Sequence, residues 1–266
     1  MPESKNVFLN STGYEFVKIE SPDIIAKQIE IACSGKNIFG TIYVSVEGIN
    51  VNLAGNQDIV NLIENFFYEH DLFNTIFFKH TLSYKLPFRK LKIKVKPEII
   101  SIKKEVNNIF NIKKNYIEPK ELEKKLDLGE NILLLDVRNN YEINIGTFKR
   151  AKHLNILKFD ELAYKVEELR NLEGEVVMFC TGGIRCEKAL GYLSQEGINS
   201  FKQLKGGIIN YLIETKGKYW DGECFVFDDR ITLGKNLSPT YKELCPKCQK
   251  IINSFDRTKC ELCKQI

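Results

Sequence analysis

The sequence predicts a multidomain chain of α/β and α+β type, with an N-terminal domain of ferredoxin-like order, a second domain built on a parallel sheet, and a small C-terminal four-cysteine ribbon. Three observations carry this. Residues 6–97 read as strand, helix, two strands, helix, strand, the ferredoxin-like sequence of elements. From residue 118 onward short apolar runs alternate with amphipathic stretches, which calls for parallel strands joined by helical crossovers. Four of the eight cysteines crowd into the last 22 residues as two Cys-x-x-Cys pairs, the spacing of a tetrahedral thiolate site rather than of a disulfide framework. A chain of 266 residues is long for one core. The expected division is 1–97, a connector over 98–117, a second domain over 118–217, an extension over 218–240 and the ribbon over 241–266.

Composition bounds the class. Hydrophobic residues make up 43% and charged residues 28%, the balance of a folded globular chain rather than a disordered one. No apolar run approaches the roughly 20 residues a membrane helix needs, and the first six residues lack the apolar core of a signal peptide. The expectation is a cytoplasmic protein without membrane attachment, where thiols stay reduced and paired cysteines point to metal. The net charge of +4 decides little until its distribution is read.

In the N-terminal domain an extended segment over 14–19 leads to Ser21 and Pro22, an N-cap serine and a first-turn proline that start a helix running to about Cys33. Residues 39–46 and 49–53 alternate like strands around Glu47 and Gly48, which predicts a hairpin. A second helix covers about 57–69, with Ile59, Leu62, Ile63, Phe66 and Phe67 on its apolar side. The closing strand is assigned to 89–96. There Leu91, Ile93 and Val95 face one side while Lys90, Lys92, Lys94 and Lys96 line the other, and Arg89 opens the basic run as a further candidate RNA contact. Between Lys79 and Pro97 stand seven lysines or arginines and no acid. Such a stripe, with Tyr84 and Phe88 close by, suits a nucleic-acid phosphate backbone. The competing reading is an edge strand guarded by lysines against aggregation.

Residues 98–117 read as a connector able to pack on either domain. A short helix begins at Glu118 and Pro119, and the apolar run 131–135 is a buried strand ending at Asp136 and Arg138. Helix 159–170, strand 176–179, helix 186–196, strand 200–204 and helix 207–214 follow. The chemistry gathers at the end of strand 176–179. Cys180 is followed by Thr181, Gly182, Gly183, Ile184 and Arg185, with Cys186 in the first turn of the next helix. Loop amides and a helix N-terminus aimed at sulfur stabilise the thiolate over the thiol and make it nucleophilic. The glycines leave room for a substrate, and Arg185 adds a fixed positive charge. Asp136, Arg138 and Glu142 follow a neighbouring strand, where a parallel sheet places its sites. They form either a pocket wall or an ion pair that ties one loop to another. Cys186 is either a resolving thiol for Cys180 or a small residue packed beneath the loop, whereas Cys33 and Cys224 read as structural.

The span from Cys180 to Arg185 resembles the active-site loop of the rhodanese family, which carries sulfur as a cysteine persulfide. Over residues 5–235 the chain resembles a narrower group, the rhodanese-containing tRNA uridine hydroxylases. The stretches 40–44, 47–50, 91–95, 136–142, 145–148, 180–189, 204–208 and 220–228 carry that likeness, in order. Arg150 and Val51 depart from the pattern, standing where the family has glycine. The resemblance implies an acylphosphatase-like N-terminal domain, a rhodanese-like second domain, and oxygen-dependent hydroxylation of the wobble uridine of tRNA to 5-hydroxyuridine. It makes Cys180 the essential group, described in the family as a persulfide intermediate, with dioxygen as co-substrate beside a reductant that the sequence does not identify. His70, His80 and His153 are too scattered for an iron-binding triad, and no dinucleotide fingerprint for a flavin is present.

In the tail, Cys245 and Cys248, then eleven residues, then Cys260 and Cys263 offer four sulfurs to one structural zinc with no open position for catalysis. The lysines around them fit a second RNA contact or a clamp that merely orders the tail. Two other functions compete with tRNA hydroxylation. One is a sulfurtransferase passing persulfide sulfur from Cys180 to a thiol or a tRNA acceptor, and the other is an RNA-binding adaptor that uses the loop only as scaffold.

Overall fold

The computed structural model describes residues 7–107, 109–110, 115–240, 242–245 and 251–253. The N-terminal domain comprises β1 (Phe8–Phe16), α1 (Pro22–Cys33), β2 (Ile38–Ser45), β3 (Gly48–Gly55), α2 (Gln57–Tyr68), β4 (Lys79–Ser83) and β5 (Leu91–Val95). The sheet runs β4-β1-β3-β2-β5. All neighbours are antiparallel except β5, which lies parallel to β2. The closing strand of the ferredoxin-like order is therefore β4, and the basic strand is an addition at the far edge. The reason the sequence misplaces it is physical. On β4 the polar Lys79, Thr81 and Ser83 are buried while His80 and Leu82 are exposed, the reverse of the usual alternation.

Both helices cover one face of this sheet, with Ile29, Ile42, Val51, Leu53, Ile63 and Phe67 in the core between them. Pro22 starts α1 as expected, but Ser21 makes no side-chain cap bond. On α2 the buried face is Val60, Ile63, Glu64 and Phe67, and Leu62 is half exposed. Glu64 tolerates burial because its Oε1 lies 2.7 Å from His80 Nε2.

The second domain contains β6 (Tyr116–Ile117), α3 (Pro119–Asp127), β7 (Ile132–Asp136), α4 (Asn140–Ile143), β8 (Gly146–Phe148) and β9 (Lys152–His153). A 3-10 segment, Phe159–Lys165, then leads to α5 (Val166–Arg170), β10 (Glu175–Phe179), α6 (Ile184–Gln195), β11 (Lys202–Leu204) and α7 (Gly207–Thr215). Its sheet, β6-β11-β10-β7-β9, is parallel throughout. Separate cores lie on its two faces, one around Leu162, Leu169, Ala189 and Leu193, the other around Leu122, Ile208, Leu212 and Trp220. The extension adds β12 (Trp220–Gly222), paired with β8, and a hairpin of β13 (Cys224–Phe225) with β14 (Thr232–Leu233).

The connector packs on both domains. Ile102 enters the second domain's core, while Ile99 and Ile109 share a cluster with Phe16, against which Tyr14, Tyr43 and Ile184 pack. In the tail, β15 (Lys242–Leu244) and β16 (Ile251–Asn253) pair antiparallel, and the buried Cys245 follows β15 directly. Cys248, Cys260 and Cys263 lie outside the described residues, and among the described residues no group of three metal-ligating side chains is found. No helix among them is long and apolar enough to cross a membrane.

Candidate active site

Cys180 stands at the carboxyl end of the central strand β10 and is fully buried. The backbone N–H of Gly183 donates to its Sγ at 3.2 Å. Gly183 holds φ at +101°, and a side chain there would collide with the Tyr14 hydroxyl, so the loop is shaped around glycine. Gly207 is equally constrained, because a Cβ would fall 2.4 Å from the Cys180 carbonyl oxygen. That close approach lets Ile208 and Ile209 donate to the carbonyls of Cys180 and Thr181, pinning the loop to α7. Above Gly182 the space is open.

Burial pushes the Cys180 thiol up, but a hydrogen bond from the Cys186 thiol, the charge of Arg185 and the N–H groups of Cys186 and Gly183 outweigh it. They hold Cys180 at about 5, so near neutral pH it is a thiolate. Burial and the Cys180 charge push the Cys186 thiol up. Cys186 is thus a proton-bearing partner packed beneath Cys180. Cys224 is pushed up to about 12, chiefly by burial.

Arg185 is clamped by Glu142 through Nη1–Oε2 at 2.6 Å and Nη2–Oε1 at 2.7 Å, with Thr181 Oγ1 bridging the two side chains at 3.3 Å. Burial pushes the Glu142 carboxyl up, yet Arg185 holds it below the usual carboxylate range. Glu142 itself is set by a capping box with Asn139 at the start of α4. Asp136 and Arg138 form a different unit. Arg138 Nη2 lies 2.7 Å from Asp136 Oδ2 and 2.6 Å from the Gly146 carbonyl, and its guanidinium covers the Trp220 ring. Both residues are fully buried, so this pair ties β7 to β8 and β12, while Glu142 alone of the three reaches the loop.

The face of the N-terminal sheet turned away from its helices lies over the Cys180 loop. The hydroxyls of Tyr14 on β1 and Tyr116 on β6 both donate to Glu187 Oε2, at 2.9 Å and 3.0 Å. The next residue of α6, Lys188, pairs with Glu47 from the β2–β3 turn and with Glu98 of the connector. Lys79 on β4 is buried and lies over the rings of Tyr14 and Phe77. On the other side, Phe227 of the extension covers Arg185 at 5.4 Å and Phe225 meets Tyr141 edge-on. Tyr14, Lys79, Tyr116 and Glu187 were not legible as site residues. Tyr14 sits in an ordinary strand pattern, and the Glu187–Tyr14 pair spans 173 residues of chain.

The basic strand occupies the other edge of the same sheet. Arg89, Lys90, Lys92, Lys94 and Lys96 are exposed, with Lys96 stacked on Tyr43. Four strand spacings, about 19 Å, separate β5 from β4. The structure therefore does not bring this row into the Cys180 site.

Comparison with known proteins agrees with this architecture. Residues 8–99 match the UPF0176 acylphosphatase like domain, and residues 118–214 match the rhodanese-like domain. A tRNA uridine(34) hydroxylase from Picosynechococcus is 38% identical over 261 residues, covering 94% of this chain and 85% of that protein. Proteins of the same name from Synechococcus elongatus and from the Wolbachia of Brugia malayi are 36% and 35% identical, each alignment covering 93% of this chain and 93% and 92% of theirs. With an acylphosphatase-like domain closed over a rhodanese-like cysteine loop, and with relatives this similar along nearly the whole chain, the protein belongs to the tRNA uridine(34) hydroxylase family.

Proposed function

We propose that this protein hydroxylates the wobble uridine of tRNA at C5, using dioxygen and a reductant and acting through Cys180. The observation that carries the reading is the setting of Cys180, buried at the end of the central strand with the Gly183 N–H on its sulfur, held at about 5, and with the N-terminal domain packed on the helix that follows through Tyr14 and Glu187. In the overall reaction one oxygen atom of dioxygen enters the C5–H bond of uracil. The other leaves as water, with two electrons and two protons drawn from the reductant. A buried thiolate facing an electron-poor pyrimidine acts as a nucleophile. The Gly183 amide and the guanidinium of Arg185, itself fixed by Glu142, hold negative charge at the sulfur.

tRNA is held by its phosphates on the exposed row Arg89, Lys90, Lys92, Lys94 and Lys96, while the target nucleotide leaves its stack to reach the loop. In the tail, zinc is held by Cys245, Cys248, Cys260 and Cys263. Support comes from the spacing of the four cysteines and from the antiparallel pairing of β15 with β16, with Cys245 buried directly after β15. Four thiolates leave no open position, so this metal is structural. Chelation should release one zinc per chain and melt the tail while leaving the Cys180 loop folded.

The deciding experiment is nucleoside mass spectrometry of tRNA from cells lacking the protein, complemented with wild type or Cys180→Ala. Derivatives of 5-hydroxyuridine should return only with the wild type, carrying the heavy isotope when cells grow under ¹⁸O₂. Loss of a thiolated nucleoside instead, with 5-hydroxyuridine intact, would make the protein a sulfurtransferase.

A further inference from the structure

Between the two domains lies a cavity of about 150 Å³ lined by Tyr14, Phe77, Lys79, Tyr116, Glu187 and Gly206. A cavity of this volume admits one six-membered ring. Its walls combine aromatic faces with two lysines, Lys79 and Lys205, the second of which is already paired with Glu118. Lys79 is 3% exposed, and among the described residues its ammonium makes no hydrogen bond or ion pair, only the two ring contacts with Tyr14 and Phe77. A buried cation without an acceptor is costly, so a ligand that brings an oxygen acceptor is favoured there. Burial pushes Lys79 down to about 8, while the charges of Cys180 and Glu187 work to hold its proton. Both Lys79 and Tyr14 therefore feel the charge on Cys180, which puts the cavity within electrostatic reach of the sulfur.

Resting on the hydroxylase reading, the geometry points to this cavity as the base pocket: the flipped pyrimidine stacks against Tyr14 or Phe77, and Lys79 donates to the O4 carbonyl of uracil. Lys79 is then a specificity-determining residue contributed by the N-terminal domain. Uracil offers an acceptor at position 4, whereas cytosine offers an amino group, a donor that an ammonium repels. The carboxylate of Glu187, already taking both tyrosine hydroxyls, marks the side on which the N3–H of the base finds an acceptor. This also assigns work to the acylphosphatase-like domain beyond holding the tRNA backbone.

The test uses the full chain with an anticodon hairpin carrying uridine or cytidine at the target position. Wild type should bind the uridine hairpin about 10-fold more tightly or better, the cost of setting a charged donor against the wrong group. Lys79→Met should erase that preference and lower single-turnover hydroxylation by about 30-fold, and Lys79→Arg should restore part of both. Equal affinity of the wild type for the two hairpins, or a Lys79→Met variant that keeps the preference, overturns the assignment. Should Lys79→Met fail to fold, a wild-type photo-cross-link from 5-bromouridine at the target position decides. Attachment to Tyr14 or Phe77 supports the pocket, and attachment to Phe225 or Phe227, or none above the yield from a hairpin brominated elsewhere, overturns it. Binding preference and cross-linking do not need turnover, so a wild type that discriminates uridine yet makes no 5-hydroxyuridine would sink the hydroxylase reading and leave the pocket standing.

Discussion

The two edges of the N-terminal sheet carry the same residue type and use it in opposite ways. On β5, lysines alternate with Leu91 and Ile93 and face water, where each charge is cheap to keep and screened by salt. On β4, Lys79 turns inward over two aromatic rings and is sealed by the second domain. The first edge suits long-range attraction of a polyanion, spread over many weak contacts. The second suits one contact with a particular atom. A lysine's function here follows from the face it occupies and from what closes over it, rather than from local charge density.

Experiments that separate the two edges should show effects of graded size. Cys180→Ser, which removes the reactive sulfur, should cut hydroxylation by about 10³-fold or more while tRNA affinity stays within twofold, as measured by mass spectrometry and by fluorescence anisotropy. If affinity falls with activity, binding and chemistry are not divided between the edges. Next in size is Arg185→Gln. It leaves Glu142 buried and unpaired, which costs about 3–5 kcal/mol, readable as a lower midpoint of urea unfolding. The same change should move the thiolate absorbance of Cys180, taken as the difference from Cys180→Ala, upward from about 5. The sign of the linkage follows from that depressed value: stability due to the thiolate is complete above the unfolded pKa near 8.5 and vanishes as pH falls through about 5. The advantage of wild type over Cys180→Ala should thus grow between those limits.

On the other edge, replacing Lys92 and Lys94 with Glu should weaken tRNA binding by about 10-fold and reduce the slope of log affinity against log salt by about 2. Thermal stability should move by less than about 0.5 kcal/mol, because both side chains are exposed. Unchanged affinity would place the phosphate contacts elsewhere and leave β5 as a guarded edge. The smallest effect is expected at Arg150, which holds φ at +64°. Relief of left-handed strain, about 1–2 kcal/mol, is partly offset by glycine's greater unfolded-chain entropy. Arg150→Gly should therefore raise the melting temperature by about 2 °C.

Much of the architecture was legible because it is written locally. Pro22, the hairpin at Glu47 and Gly48, and the strand that runs into Cys180 each announce themselves within a few residues. The departure at Arg150, legible through the family resemblance, coincides with a left-handed backbone. β4 escaped because its buried face is polar, so the alternation that marks a strand pointed the wrong way. On α2, Ile59, Ile63, Phe66 and Phe67 meet the core as expected, and only Leu62 was misplaced, because Glu64 takes an inward position that depends on His80 of β4. Contacts across the domain boundary were beyond reach, since periodicity says which face is buried and not what buries it. The Asp136–Arg138 pair shows the same limit. Its spacing fitted a pocket wall as well as a brace, and only the Gly146 carbonyl and Trp220 beside Arg138 reveal the brace.

The seam formed by Tyr14, Tyr116 and Glu187, with Lys188 held between Glu47 and Glu98, bears on how the protein is made. Chains emerge from the ribosome N-terminus first, and domains generally fold as units in that order. The sheet bearing Tyr14, Glu47 and Lys79 is complete before α6 has been translated. The cysteine loop and α6 then close against a wall already standing, one that presents the Tyr14 hydroxyl and the Glu47 carboxylate to Glu187 and Lys188.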